Sequence, residues 1–230
     1  EGYLTYANSK LPEALFLAYD LTKQPEYLEI AEKTLDFLSN IVFINNELSP
    51  IGQKGWCNRN GQRAFFDQQP IDASSMVQTY LTAYSITKNK KYYDKAILAF
   101  NWFLGKNHLK QMIYNETTGG CYDGLSRNSV NLNQGAESTI EYLISRLMLE
   151  EMKKEKLAEK IINLVKAGVD EIHWDVMDGK YSPNNTWEYQ GPAVIKELRK
   201  ITDLPFVAHL MIENPIESVE LFHYAGCNVI

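Results

Sequence analysis

The chain has 230 residues, 45% of them hydrophobic, and a net charge of −6 at neutral pH. That apolar content suffices for one large core or two small ones. The acidic balance, with no basic run, argues against nucleic acid, and no apolar stretch approaches the ~20 residues that cross a bilayer. Cys57, Cys121 and Cys227 are odd in number, far apart and without metal-ligand spacing, which points to a reduced, cytoplasmic chain. An opening Glu1 in place of Met reads as a fragment.

The first two thirds read as helices that repeat. The run AYDLTKQPEYLEIAEKTLDFL from Ala18 matches AYSITKNKKYYDKAILAFNWFL from Ala83, 65 positions later. Gln69 and Gln134, each opening a similar segment, stand the same distance apart. Each unit is an antiparallel helix pair: one helix ends near Leu-Thr-Lys or Ile-Thr-Lys, and the next starts at Pro25 or after Asn89. Leu28, Ala31, Leu35 and Leu38 follow helical spacing, as do Tyr93, Ala96, Ala99, Phe100 and Phe103. Repeated hairpins that cannot bury their apolar faces alone imply a solenoid or toroid.

Two long loops, 45–69 and 105–133, separate the pairs, and loops of that length are uncommon without a function. They and the adjoining helix starts hold Trp56, Phe65, Asp67, Asp72, Tyr122 and Glu137. Rings against a sugar's C–H face and carboxylates on its hydroxyls would make a glycan site. Asp72 and Glu137, at helix starts, could equally serve the helix dipole. The charged run 149–156, without Pro or Gly, should stay helical, because Leu157, Ile161, Leu164 and Val165 continue an apolar stripe.

The last third changes period. In an extended strand His173, Asp175 and Met177 share one side while Ile172, Trp174 and Val176 take the other; Val207, His209 and Met211 line up likewise. Asp178-Gly179 ends the first strand in a turn. Two imidazoles and a carboxylate on neighbouring parallel strands can share one divalent cation: Zn, Mn, Fe(II) or Co.

The segments HWDVMDGKYSPN, GPAVIKELRKITDLPFVAHLMIENP and YAGCNVI resemble ribulose-phosphate 3-epimerase over residues 157–230. That resemblance implies a β-α-β-α-β piece of a (β/α)8 TIM barrel converting ribulose 5-phosphate to xylulose 5-phosphate, with strands expected at 171–176, 205–210 and 227–230, joined by right-handed crossovers. It also implies His173, Asp175 and His209 as metal ligands, with Asp175 doubling as an acid/base and Met177 and Met211 beside the substrate. Lys180 and Ser182 replace the family's His and Val, and NNTWEYQGP is longer than its counterpart. The family's first strand, late strands and phosphate-gripping loops are not matched. The expectation is therefore weak metal binding without epimerisation by this chain alone. Open strand edges should also favour self-association through this part.

The segments LTYANSKLPEA, RAFFDQQPIDAS and YDGLSRNSVNLNQGAEST resemble the helical C-terminal region of some bacterial and archaeal glycosyltransferases, related in shape to (α/α)6 glycosidases. That implies a partial toroid over residues 1–150, with Asn8, Glu13, Asp67, Gln68, Asp72, Asn133, Gln134 and Glu137 facing its central cavity. The chain thus reads as mainly α-helical hairpins over 1–150 followed by an α/β piece over 151–230. Three functions compete: a pentulose-phosphate epimerase, a glycan-binding or glycan-processing module, and a misjoined chimera without activity.

Overall fold

Two-residue links organise the first half of the computed structural model, which describes residues 2–230 and all of their side chains except those of Glu188 and Tyr189. Helix α1 (Lys10–Thr22) ends where Lys23 turns left-handed (φ 57°), and α2 (Pro25–Val42) begins with Pro25 in its first turn. The pattern recurs 65 residues on. There α3 (Pro70–Thr87) ends at left-handed Lys88 (φ 56°), and α4 (Lys90–Phe100) starts under Asn89, whose side chain accepts the Lys91 N–H. Links this short leave each pair antiparallel. On α2 the buried residues are Ala31, Leu35, Leu38 and Val42; of the predicted stripe Leu28 is only half-buried, and Val42 extends it at the other end by a turn. On α4 the expectation needs correction. Tyr92, Ala96 and Ala99 are buried, while Phe103 reaches the core from a turn after the helix has stopped.

The long loops are tied by short antiparallel ribbons. β1 (Tyr3–Leu4) pairs with β4 (Cys57–Asn58), β2 (Phe43–Ile44) with β3 (Glu47–Leu48), and β5 (Gly124–Leu125) with β6 (Val130–Asn131). Helix α5 (Ala136–Ala167) follows and includes the charged run 149–156. The chain divides into two compact units, Glu1–Leu149 and Glu150–Ile230.

In the second unit, β7 (Ile172–Met177) leads through α6 (Trp187–Gln190), α7 (Pro192–Leu198) and a 3-10 turn (Arg199–Ile201) to β8 (Phe206–Met211) and α8 (Pro215–Ala225). β7 and β8 are parallel and in register from Ile172↔Phe206 to Met177↔Met211. Alternation decides the faces. Ile172, Trp174, Val176, Phe206 and Ala208 are buried with Val194, Ile195, Leu198 and Phe222 of the helices, each large side chain contributing roughly 1.5–3 kcal/mol. A third strand over 227–230 does not form. Val229 alone bridges Val207, while Asn228 accepts the Phe206 N–H at 3.0 Å and Cys227 is buried in the core. One bridge starts a parallel alignment without the consecutive pairings a strand requires. The sheet is an open pair, and no barrel closes among the described residues.

Candidate functional site

The alternation that buries Trp174 turns His173, Asp175 and His209 outward, all exposed. Asp175 and His209 are direct partners in the register, and His209 Nδ1 lies 3.3 Å from Asp175 Oδ1. His173 goes elsewhere: its Nε2 is 4.0 Å from Glu171 Oε1, two residues back on the same face. Among the described residues no group of three or more His, Cys, Asp and Glu side chains is placed to hold one metal ion. Carboxylate and imidazole are suitable donors for a divalent cation, but this arrangement brings together two of the three expected. Met177 and Met211 pair at the strand ends, half-buried beside Asp175 and His209.

Asp178, read from the sequence only as part of the turn that ends β7, and Thr186, which sequence reasoning passed over, hold this edge. Asp178 accepts the Lys180 N–H and the Glu213 N–H, both at 2.9 Å, clasping the turn after β7 to the turn after β8. The Glu213 N–H is the main reason that its carboxyl sits below the usual range. Thr186, buried, donates to the Asp175 carbonyl and accepts the Met177 N–H, both at 2.8 Å, so the 183–186 segment is stapled to β7. The signals were an Asp at a turn and a Thr before a helix, both too common to single out.

The helical unit holds a separate cavity of about 420 Å³, lined by Asp67, Gln68, Asp123, Ser126, Asn131 and Glu137 among others. Gln68 and Leu125 exchange backbone hydrogen bonds across its wall. Gly124 is needed there, since a Cβ would fall 2.2 Å from the Gln68 carbonyl oxygen at a φ of +149°. Asp123 accepts from Gly135 N–H and Ser138 Oγ, both at 2.7 Å, and from Asn133. Burial raises its carboxyl, but these donors outweigh burial and hold it low. Asp123 is not among the residues singled out from the sequence, because its donors come from 133–138, beyond any local spacing.

The expected glycan residues part company. Asp67 and Glu137 share the cavity, whereas Asp72 lines a different, small one with Asn8 and Ser9. Glu13 lies between α1 and α3, receiving Thr79 and Thr82, and Gln134 accepts Thr118. The rings are elsewhere too: Trp56 sits 6.2 Å from Tyr6, Phe65 lies beneath the Arg63 guanidinium, and Tyr122 bonds Asn115. The expectation of an aromatic platform beside these carboxylates is thus corrected. The Trp56 ring is taken by Tyr6 of the N-terminal segment and the Phe65 ring by Arg63 of its own loop.

A parallel β-α-β unit presenting a carboxylate–imidazole pair at adjacent strands belongs to the α/β class with polar sites on strand edges. Within that class, residues 146–230 match the sequence model of the ribulose-phosphate 3 epimerase family. The chloroplastic ribulose-5-phosphate-3-epimerase of Arabidopsis thaliana is 45% identical over 75 residues, 33% of this chain and 26% of that protein. The ribulose-phosphate 3-epimerase of Bacillus subtilis is 42% identical over 74 residues, 32% of this chain and 33% of that protein. The chain thus spans about a third or less of these relatives. Among solved structures, the GH76A α-1,6-mannanase of Salegentibacter sp. HEL1_6 aligns with 89% of this chain and 60% of its own, at 13% identity and a TM-score of 0.49. Among the described residues no helix is long and apolar enough to cross a membrane.

Proposed function

We propose that residues 146–230 carry half of an epimerase site for a pentulose phosphate, with Asp175 as its proton carrier. The observation that supports this reading most is the Asp175–His209 pair, 3.3 Å apart at one level of a parallel sheet. Asp175 would take the proton from the carbon beside the ketone. His209 orients the carboxylate, and Met177 and Met211 supply an apolar wall that limits water. A divalent cation, when bound by Asp175, His209 and a reoriented His173, would supply charge stabilisation for the oxygen that becomes negative. Inversion needs a second proton carrier on the opposite face and an anchor for phosphate; the pair supplies neither.

Titration calorimetry with cobalt(II) or zinc tests this. The expected result is weak binding that His209→Ala and Asp175→Asn each reduce about tenfold or more. Binding should also weaken on acidification, because imidazole must be neutral to ligate. Equal affinity in wild type and both variants would remove the reading. The same protein should show no steady turnover of ribulose 5-phosphate. Turnover abolished by Asp175→Asn would show that the pair is a complete site.

The helical cavity favours a second reading for residues 1–150, a site for neutral oligosaccharides. Its wall combines the Asp67 and Glu137 carboxylates with amide and hydroxyl groups, the donors and acceptors that sugar hydroxyls require. Binding of a neutral oligosaccharide panel should be lost in Glu137→Gln and kept in Asp175→Asn. No binding at millimolar concentrations would end this reading.

A further inference from the structure

Besides the two cavities already described, the helical unit holds one of about 520 Å³ between the C-terminal end of α2, the β2–β3 turn and α4. Its size falls within the range of small-molecule sites. Helical spacing builds one wall: Lys91 and Lys95 stand one turn apart on α4 and share the opening. The hairpin builds another. Asn45 and Asn46 are the central residues of the tight turn between β2 and β3, both left-handed (φ 52° and 63°), and they line the cavity with Asn40. The turn accounts for asparagine at 45 and 46. It leaves their carboxamides unused: among the described residues, none of the three asparagine side chains hydrogen-bonds to another group of the chain.

The charges around this cavity do not cancel. Lys91 Nζ lies 2.9 Å from Oδ1 of Asp36, the carboxylate in the wall. Lys95 is placed differently. It is half-buried, its Nζ stands 4.0 Å from the centre of the Phe43 ring, and it pairs with no carboxylate among the described residues. Two ammonium groups against one carboxylate leave one positive charge on the lining. Burial, and then the neighbouring Lys91 charge, pull the Lys95 ammonium below the usual lysine range, with Asp36 opposing them. The Phe43 ring offsets part of the desolvation but brings no counter-charge. The floor, by contrast, is satisfied: the Tyr80 hydroxyl meets Ser39 Oγ, and Ser39 donates to the Leu35 carbonyl at 2.6 Å.

We propose that this cavity binds a hydroxylated monocarboxylate of monosaccharide size, its carboxylate on Lys95 and Lys91 and its hydroxyl groups on Asn40, Asn45 and Asp36. A single negative charge matches the lining. A neutral sugar would leave Lys95 without a counter-charge, and a phosphate dianion would overshoot and crowd Asp36. Carboxamides both donate and accept, as hydroxyl groups require, and Asp36 accepts only, so it takes a hydroxyl and repels a second anion. The site is independent of the cavity lined by Asp67 and Glu137, whose carboxylates suit neutral sugars and disfavour an acidic one.

Titration calorimetry of the full 230-residue chain with glucuronate, glucose and inorganic phosphate tests this. Glucuronate should bind with a Kd on the order of 1 mM, and glucose and phosphate roughly tenfold more weakly or worse. Lys95→Gln should lose about tenfold in glucuronate affinity, the worth of a hydrogen bond to a charged group. Lys90→Gln removes a charge from the same helix outside the cavity and should keep the affinity. In wild type the backbone amide resonances of Asn45 and Asn46 should shift as glucuronate is added, which locates the site without any variant. No glucuronate binding in the millimolar range, equal affinity for glucose or phosphate, or shifts that spare Asn45 and Asn46 would each overturn the proposal. So would an unchanged affinity in Lys95→Gln, or an equal loss in Lys90→Gln.

Discussion

Trp102→Ala should destabilise the helical unit by ~5 kcal/mol, the largest loss expected from any single truncation in it. Trp102 is fully buried, its ring edge-on to Phe103 at 5.3 Å, and its Nε1 donates to Gln68 Oε1 at 2.8 Å. Truncation leaves a ring-sized void and an orphaned amide oxygen, and the two costs add. Trp102→Phe separates them: the void is small but the donor is gone, so ~2 kcal/mol is expected. Gln68 also forms the wall of the acidic cavity and bonds the Phe65 carbonyl at 2.8 Å. Oligosaccharide binding, if present, should therefore suffer in Trp102→Phe beyond its effect on stability. Urea unfolding followed by circular dichroism gives the numbers. A loss below 1 kcal/mol for Trp102→Ala would mean that neighbouring rings collapse into the space.

Local periodicity made much of this fold legible, and long-range partnership did not. The alternation from Ile172 to Met177 assigned the buried and exposed faces of β7 correctly, because the pleat leaves no other choice. The 65-residue repeat held down to Lys23 and Lys88, both left-handed at helix ends. Which partner a side chain takes was harder. His173 has Glu171 two residues away on its own strand face and Asp175 two residues on, and alternation treats them alike. Asp67 and Asp72 are five positions apart yet line different cavities. Asp67 sits in a left-handed loop position (φ 62°), while Asp72 lies in the first turn of α3 and turns to the N-terminal segment. Asp123 draws its donors from 133–138, a partnership that no spacing rule encodes. At Val229 the parallel direction was readable, but one bridge rather than a strand was decided by packing around Cys227.

Raising the pH from 5 to 8 should weaken the helical unit through Asp72, and Asp72→Asn should remove that dependence. Asp72 is buried and its Oδ2 has no hydrogen-bond partner, while Oδ1 accepts the Ala7 N–H at 2.7 Å. The bond holds Ala7 in a left-handed conformation (φ 50°), so the carboxyl ties the N-terminal segment to α3. Burial pushes the carboxyl up to about 7, with the Ala7 N–H opposing it weakly. Between its ordinary value and 7 the native state keeps a proton that the unfolded chain releases. The contribution of this group is therefore complete below about pH 4 and falls until about pH 7, by ~4 kcal/mol in all. Roughly 3 kcal/mol of that falls between pH 5 and 8. The lowered carboxyls, Glu29, Asp123, Asp178 and Glu197, act with the opposite sign and at lower pH, where acid must protonate them. The window above pH 5 thus isolates Asp72. Asparagine keeps the acceptor for Ala7 but cannot ionise, so its stability curve should be flatter than wild type by that amount. Urea midpoints at pH 5 and 8 decide it. Parallel curves for wild type and Asp72→Asn would show that the carboxyl ionises without cost, with water reaching its second oxygen.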